Sequence, residues 1–340
     1  MKKIQNFAMA CGVAATGLCG CEQVLEWHDA ETPVDGITVN ALATPDTVLM
    51  AVVSKALLFT DAPDMDRDKF EDFWIYEQQG DLPMKHAALI SGAAVTAQVN
   101  GAEEYAFRYD AAHSRYVSDY RPREGDRILL TAQFDTFPAA EAAVSVPSSR
   151  RLELLSCQKK YSNRFEQVVY PEEHPEYALI DWYGEDTVAV VTVRFTDPPG
   201  DDYYRLKVRS ISDHEDFGEP VVRVHDVFAS DDRLFYDSRL GASYGGWPSE
   251  FSSVFDGRKC EGETRTVTVE SRLRQGTDRR IEVELQSLSR DFYYYVKSCE
   301  LYRITKQDDY SEPVQIHSNV EDGWGIFGGI ASDGGFVVRF

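Results

Sequence analysis

Residues 187–209 read TVAVVTVRFTDPPGDDYYRLKVR, and this stretch decides the fold. Ten residues from Thr187 to Thr196 are rich in β-branched side chains and end at Asp197-Pro198-Pro199-Gly200. Two prolines there remove ladder donors, and the glycine supplies the permissive turn position. In the strand that follows, Tyr204, Leu206 and Val208 alternate with Arg205, Lys207 and Arg209, the period-two pattern of a half-buried sheet. Ile281, Val283 and Leu285 alternate with Glu282, Glu284 and Gln286 in the same way, and residues 292–302 add a run read as an aromatic strand. No helical pattern of comparable length separates these strands. A parallel βαβ arrangement is therefore disfavoured and a sandwich or barrel is expected.

Working outward, residues 48–53 form a β-rich apolar run, and 94–99 and 105–109 flank Asn100-Gly101, a strong hairpin signal. Strands over 116–120 and 127–134 follow, separated by the turn segment 122–125. The best helix candidate is 66–79: Phe70, Phe73 and Trp74 share a face, Asp68, Glu71 and Asp72 sit early, and Gly80 stops it. The fold class expected is mainly β, with two antiparallel β-sandwich-like domains in tandem and one short helix in the N-terminal domain. The boundaries are a signal peptide over 1–20, a tether over 21–35, an N-terminal transthyretin- or Ig-like sandwich over 36–150, and a C-terminal sandwich or barrel-like domain over 151–340. Residues 336–340 are expected as an integral core strand.

The 340 residues carry 57 acidic against 35 basic side chains, a net charge of −22 that argues against nucleic acid as a partner. Hydrophobic residues at 43% are ample for a core, so a folded chain is expected rather than a disordered one. Lys2 and Lys3 precede an apolar stretch over 7–18, which is signal-peptide length and too short to span a bilayer. It ends in Leu18-Cys19-Gly20-Cys21, which resembles a bacterial lipobox and marks Cys21 as the lipidated residue. Stable anchoring takes two or more acyl chains there. Glu22 in the next position, rather than Asp, favours the outer membrane. Beyond the anchor only Cys157, Cys260 and Cys299 are left. Cys260 and Cys299, both in the strand-rich C-terminal region, are the candidate disulfide pair.

Several chemistry-bearing spellings fail on context. Gly241-Ala242-Ser243-Tyr244-Gly245 matches a nucleophile elbow with His317 downstream, but Gly246 and Pro248 follow where a helix is required. Gly323-Trp324-Gly325-Ile326-Phe327-Gly328 spells a dinucleotide fingerprint with too little chain after it for a Rossmann unit, so it is read as a tight turn. Asp61, Asp64, Asp66 and Asp68 mimic a calcium loop, yet Lys69 and Ile75 stand where Gly and Glu belong. An irregular calcium site at these residues, or at Asp231 and Asp232, is the only metal alternative carried forward. His214, Glu215, Asp216, His225 and Asp226 match no metal-ligand spacing. No catalytic residue, cofactor or metal is assigned, and the chain is expected not to be an enzyme.

Exposed aromatics are the feature most compatible with recognition. Tyr203, Tyr293 and Tyr295 stand where alternation would turn them outward, but core packing and cross-strand pairing is the reading preferred for them. Trp182, Tyr183, Tyr244 and Trp247 are better contact candidates for a glycan or peptide, with Gly245 and Gly246 beside the last pair.

The lipobox, Asp197-Pro198-Pro199-Gly200-Asp201-Asp202-Tyr203-Tyr204-Arg205-Leu206, Asp256-Gly257, Leu288-Ser289-Arg290-Asp291-Phe292-Tyr293-Tyr294-Tyr295 and Ser318-Asn319-Val320-Glu321-Asp322-Gly323-Trp324-Gly325-Ile326-Phe327-Gly328 occur in one order. Together they resemble the exported lipoproteins of Gram-negative anaerobes grouped as domain of unknown function 4249. Asp202 and Val320 depart mildly from the Asn and Ile usual there. The resemblance implies an outer-membrane lipoprotein, lipid-anchored on the periplasmic or cell-surface face and often encoded beside a TonB-dependent transporter. The function expected is an accessory or binding partner of such a transporter in nutrient capture. A surface adhesin or assembly subunit is the alternative, and a hydrolase using Ser243 ranks third.

Overall fold

A computed structural model describes residues 36–55, 89–162, 167–169, 179–181, 186–200, 202–216, 219–225, 228–240, 251–260, 262–273, 276–305 and 314–340. The leader expected to end at Cys21, the tether expected over 21–35 and the helix expected over 66–79 lie outside the described residues. The chain is mainly β. Its N-terminal strands are β1 (Ile37–Ala43), β2 (Met50–Lys55), β3 (Ala94–Val99), β4 (Glu103–Ala106), β5 (Arg108–Asp110), β6 (Arg115–Val117), β7 (Arg127–Gln133) and β8 (Ala140–Ser145). Next come β9 (Glu153–Ser162), β10 (Gln167–Val169), β11 (Leu179–Asp181), β12 (Asp186–Thr196), β13 (Tyr203–Asp216), β14 (Glu219–His225), β15 (Val254–Asp256), β16 (Thr264–Arg272) and β17 (Thr277–Leu288). Helix α1 (Arg290–Thr305) precedes β18 (Val320–Glu321), β19 (Trp324–Ser332) and β20 (Phe336–Arg339).

Alternation explains most of these strands. On β13 and β17 the inward residues Tyr204, Leu206, Val208, Ile281, Val283 and Leu285 are all at most 2% exposed. They face Val191, Val193, Val267 and Val269 of β12 and β16 in one core. A separate core joins Val39, Ala41, Ala51 and Val53 of β1 and β2 to Val95, Ile128, Leu130 and Val144 of β3, β7 and β8. Each Val, Leu or Ile side chain among them contributes about 1.5–3 kcal/mol on leaving water. Between β3 and β4, Asn100 and Gly101 turn the chain at φ 52° and 72°, and Ala102 N donates to Val99 O at 3.1 Å. Both central residues stand in the left-handed region, as a primed hairpin turn requires.

The two cores are not built from separate stretches of chain. One sheet runs β14-β13-β17-β19-β1-β2-β6-β5, with β15 on β13 and β20 on β17. Strand β19 joins its two parts: Leu288 to Ile330 is an antiparallel register with β17, and Thr38 to Trp324 opens a parallel register with β1. The partner layers are the five-stranded sheet β18-β8-β7-β3-β4 and the three-stranded sheet β16-β12-β9. Thus the first core closes at Val146 in sequence but recruits Val320 and Phe327 from the far end of the chain.

Strand β19 overturns the reading of the glycine-rich segment as a tight turn. Asn319 acts as a strand partner for it, with Phe327 N donating to Asn319 Oδ1 at 2.9 Å and Asn319 Nδ2 donating to Phe327 O at 3.0 Å. Gly325 sits at φ 109°, and a Cβ there would lie 2.1 Å from Val39 O. A Cβ on Gly328 would lie 2.4 Å from Phe292 Cδ2 of α1. The glycines permit close approach of backbone and helix to a central strand.

Two further expectations are corrected. Residues 292–302 are helical, not a strand: α1 lies on the face of the joining sheet opposite the two cores, where Tyr203, Val254, Leu288, Tyr293 and Ile330 cluster with Leu42 and Phe292. Residues 336–340 are not an integral core strand. Strand β20 pairs with Arg280–Val283 of β17, and Val337 is 54% exposed.

Candidate functional site

The outward residues of β3, β7 and β8 form the floor of a cleft of about 550 Å³. Gln98, Leu129 and Ala143 make one cross-strand row, and Arg127 faces Ser145 in the next. The opposite wall is Asp202 and Tyr203 at the start of β13, with Leu288, Ser289, Arg290 and Asp291 at the passage from β17 into α1. Pro147 lies between them.

Backbone contacts hold the wall against the floor. Ser289 N donates to Gly329 O at 2.8 Å, and Gly329 N donates to Ser289 Oγ at 3.0 Å. A Cβ on Gly329 would be 2.9 Å from Ser145 O, so β19 passes directly between α1 and β8. Arg150 places a guanidinium nitrogen 3.5 Å from Asp202 Oδ1 and also bonds the Tyr204 hydroxyl. Tyr204 in turn donates to the buried Asp197 carboxylate, and burial together with that bond pushes the phenol well above its ordinary range. Asp202 O accepts from Gly257 N at 2.8 Å, where a Cβ on Gly257 would clash with the same oxygen.

Charges around the cleft are unevenly matched. Asp202 has Arg150, and Asp291 Oδ1 lies 3.0 Å from His317 Nε2. Arg290 stacks its guanidinium 5.7 Å from the Tyr294 ring centroid. Among the described residues, no carboxylate lies within ion-pair reach of Arg127 or Arg290, and both are exposed.

Behind the wall, α1 is anchored by a buried charge. Lys297, 5% exposed, places Nζ 2.8 Å from Asp237 Oδ2 and 3.6 Å from Glu300 Oε2. Arg239 also holds Asp237, at 2.7 and 2.9 Å, and Ser252 Oγ donates to Glu300 at 2.7 Å. The Arg239 bonds, then Lys297, hold the Asp237 carboxyl far below the usual carboxylate range. Lys259 donates to the Leu234 and Tyr236 carbonyls at 3.0 and 2.9 Å. This network fixes the helix to the loop beneath it.

Most contact residues expected from sequence lie outside the described residues: Trp182, Tyr183, Tyr244 and Trp247, as do Ser243 and Asp61, Asp64, Asp66 and Asp68. Tyr203 and Tyr293 are described and are buried, their rings 4.7 Å apart. Both are packed in the core, the reading preferred for them, because α1 covers that face of the sheet. Of the acidic pair, Asp232 caps a short 3-10 turn by accepting from Leu234 N at 2.9 Å. Among the described residues no group of three or more His, Cys, Asp or Glu is placed to hold a metal ion.

The expected disulfide is also corrected. Cys157, Cys260 and Cys299 are free thiols. Cys260 is packed in the β12–β17 core after the turn at Gly257, whereas Cys299 sits on α1 beside Tyr295, so the two belong to different packing regions. Burial pushes the Cys260 thiol up to about 12, which suits a packed rather than a reactive thiol.

The cleft residues Gln98, Arg127, Leu129, Ala143 and Ser145 were missed in sequence. A signal existed: outward positions on half-buried strands are normally long and polar, and here they carry Leu129, Ala143 and Ser145.

Fold and cleft together define a mainly β protein whose two cores share one continuous sheet and border an open cleft. The chain belongs to the family described as Domain of unknown function (DUF4249), whose model matches residues 26–334. A search of the curated proteins found no match. No helix among the described residues is long and apolar enough to cross a membrane.

Proposed function

We propose that the protein is a non-enzymatic, lipid-anchored binding protein of the outer membrane, accessory to a TonB-dependent transporter in nutrient capture. The observation that carries this reading is the cleft. Its wall is made from Asp202-Tyr203 and Leu288–Asp291, segments of the motifs that carry the family resemblance, and its size of about 550 Å³ falls within the range of small-ligand sites. The anchor reading draws on the lipobox ending at Cys21. The transporter reading draws on the neighbourhood implied by the family resemblance.

The test is crosslinking in intact cells followed by gentle solubilisation of the outer membrane. A transporter should be recovered with the wild-type protein, and Cys21→Ser should release the protein from the membrane fraction. Recovery of no transporter under any growth condition overturns the accessory role.

One observation favours the second reading, a surface assembly subunit. Strand β20 is short, lies on β17 over Arg280–Val283 and is half exposed, which suits exchange of a strand between copies. Deleting residues 336–340 would abolish assemblies on the cell surface under that reading and leave transporter recovery unchanged under the first.

A further inference from the structure

We propose that the cleft between the β3-β7-β8 sheet and the start of α1 binds a small organic ligand through a carboxylate, held by Arg127 and Arg290. The inference rests on the reading of the cleft as a binding site and adds its chemistry. The two arginines come from opposite sides, Arg127 from the floor and Arg290 from the wall. Arg127 and Arg290 line one cleft, and neither has a carboxylate within ion-pair reach among the described residues. Of the acids that share the cleft, Asp202 pairs with Arg150 at 3.5 Å and Asp291 hydrogen-bonds His317 at 3.0 Å.

The surroundings select among anions. Leu129, Ala143 and Pro147 offer a low, partly apolar floor, which suits the body of an organic acid. Asp202 and Asp291 remain close enough to disfavour a dianion such as phosphate relative to a single carboxylate. A guanidinium suits a carboxylate because its planar fork donates two parallel hydrogen bonds. The cleft is too small for a folded partner and large enough for an acidic peptide of a few residues or a uronic-acid disaccharide, which share this chemistry.

Calorimetry on the full lipoprotein in detergent distinguishes the sources. The probes are a glutamate-containing tripeptide and its glutamine counterpart, a uronic-acid disaccharide and its neutral hexose counterpart, and inorganic phosphate. At least one acid should bind about tenfold or more tightly than its neutral counterpart, the size expected for a charge-assisted hydrogen bond. The Arg127→Ala, Arg290→Ala double variant should erase that preference while circular dichroism and the thermal midpoint stay unchanged. Ala143→Trp, which fills the floor, should abolish binding of acid and neutral probes alike. Equal binding of the two members of each pair, unchanged preference in the double variant, tighter binding of phosphate, or no binding of either acid at millimolar concentration would overturn the proposal. If the acids fail while crosslinking still recovers a transporter, the carboxylate assignment falls and the accessory role stands. If an acid binds and no transporter is recovered, the accessory role falls alone.

Discussion

Two outward-facing sheet surfaces obey the same alternation and differ in what they carry. On β12 and β16 the outward groups satisfy one another: the Thr192 and Thr268 hydroxyls lie 3.1 Å apart, Thr196 and Thr264 lie 2.9 Å apart, and Arg194 makes two bonds to Glu153 at 2.6 and 3.0 Å. On β7 and β8 the outward row holds Leu129 and Ala143, and Arg127 faces Ser145 on one side and Asn100 on the other, neither of them an acid. Cross-strand pairs are the ordinary means by which an exposed sheet face stabilises itself. The first surface does so and needs nothing further. The second leaves Arg127 without an ion-pair partner among the described residues, and this contrast is the reason for proposing the cleft as the site.

The comparison breaks most severely at β19, because the wall stands over the β7–β8 face only while that strand holds both halves. Gly325→Ala would add a Cβ at φ 109°, 2.1 Å from Val39 O in the parallel register with β1. Left-handed strain and a backbone clash together should cost at least about 3 kcal/mol. Chemical denaturation should register that loss. If it does not, β19 tolerates a shift and the cleft is not held as described. No substitution on the outer face of β12 or β16 should approach that size.

A smaller effect is expected at the far anchor of the wall. Asp237→Asn leaves buried Lys297 with Glu300 at 3.6 Å as its remaining described acidic partner, and should cost about 2 kcal/mol at neutral pH. The pH dependence follows from the bonds of Arg239 and then Lys297, which depress the Asp237 carboxyl. A carboxyl held low in the folded state contributes stability that is present above its unfolded value of about pH 4 and is lost as pH falls through the folded value. The wild type should therefore lose stability on acidification below about pH 4, and Asp237→Asn should flatten that part of the profile. Equal acid slopes in the two proteins would remove Asp237 from the anchor.

How much of this was legible in sequence depends on the range of the contacts involved. Tyr204, Leu206 and Val208 announced their strand through a local period of two, and Asn100-Gly101 announced its turn. Strand β19 paired with β1 was not legible, since nothing near Trp324 marks a partner at Thr38. Helix α1 was misread for a physical reason. Phe292 lies on Gly328, Tyr293 on Tyr203, and Tyr294 against His317, so aromatic residues surround the helix and no apolar stripe forms. The β-forming preference of Phe and Tyr then pointed to a strand. Ser289 and Asp291, polar residues typical of a helix start, were the available counter-signal. The cleft was illegible because its floor and wall come from segments far apart in the chain that β19 brings together. The candidate contacts chosen for aromatic character, Trp182, Tyr183, Tyr244 and Trp247, lie outside the described residues.

The smallest predicted effect sharpens the comparison most. Arg194→Ala on the self-satisfied face removes an exposed ion pair with Glu153 and should cost up to about 1 kcal/mol. Arg127→Ala on the cleft floor removes no side-chain partner found among the described residues, so stability should move by less than about 0.5 kcal/mol. Affinity for an acidic ligand should show the opposite order, falling in Arg127→Ala and holding in Arg194→Ala. On the carboxylate proposal, Arg127 acts through what it binds and not through the fold. Should Arg127→Ala destabilise the fold as much as Arg194→Ala, Arg127 would be part of the scaffold and the difference between the two faces would lose its functional meaning.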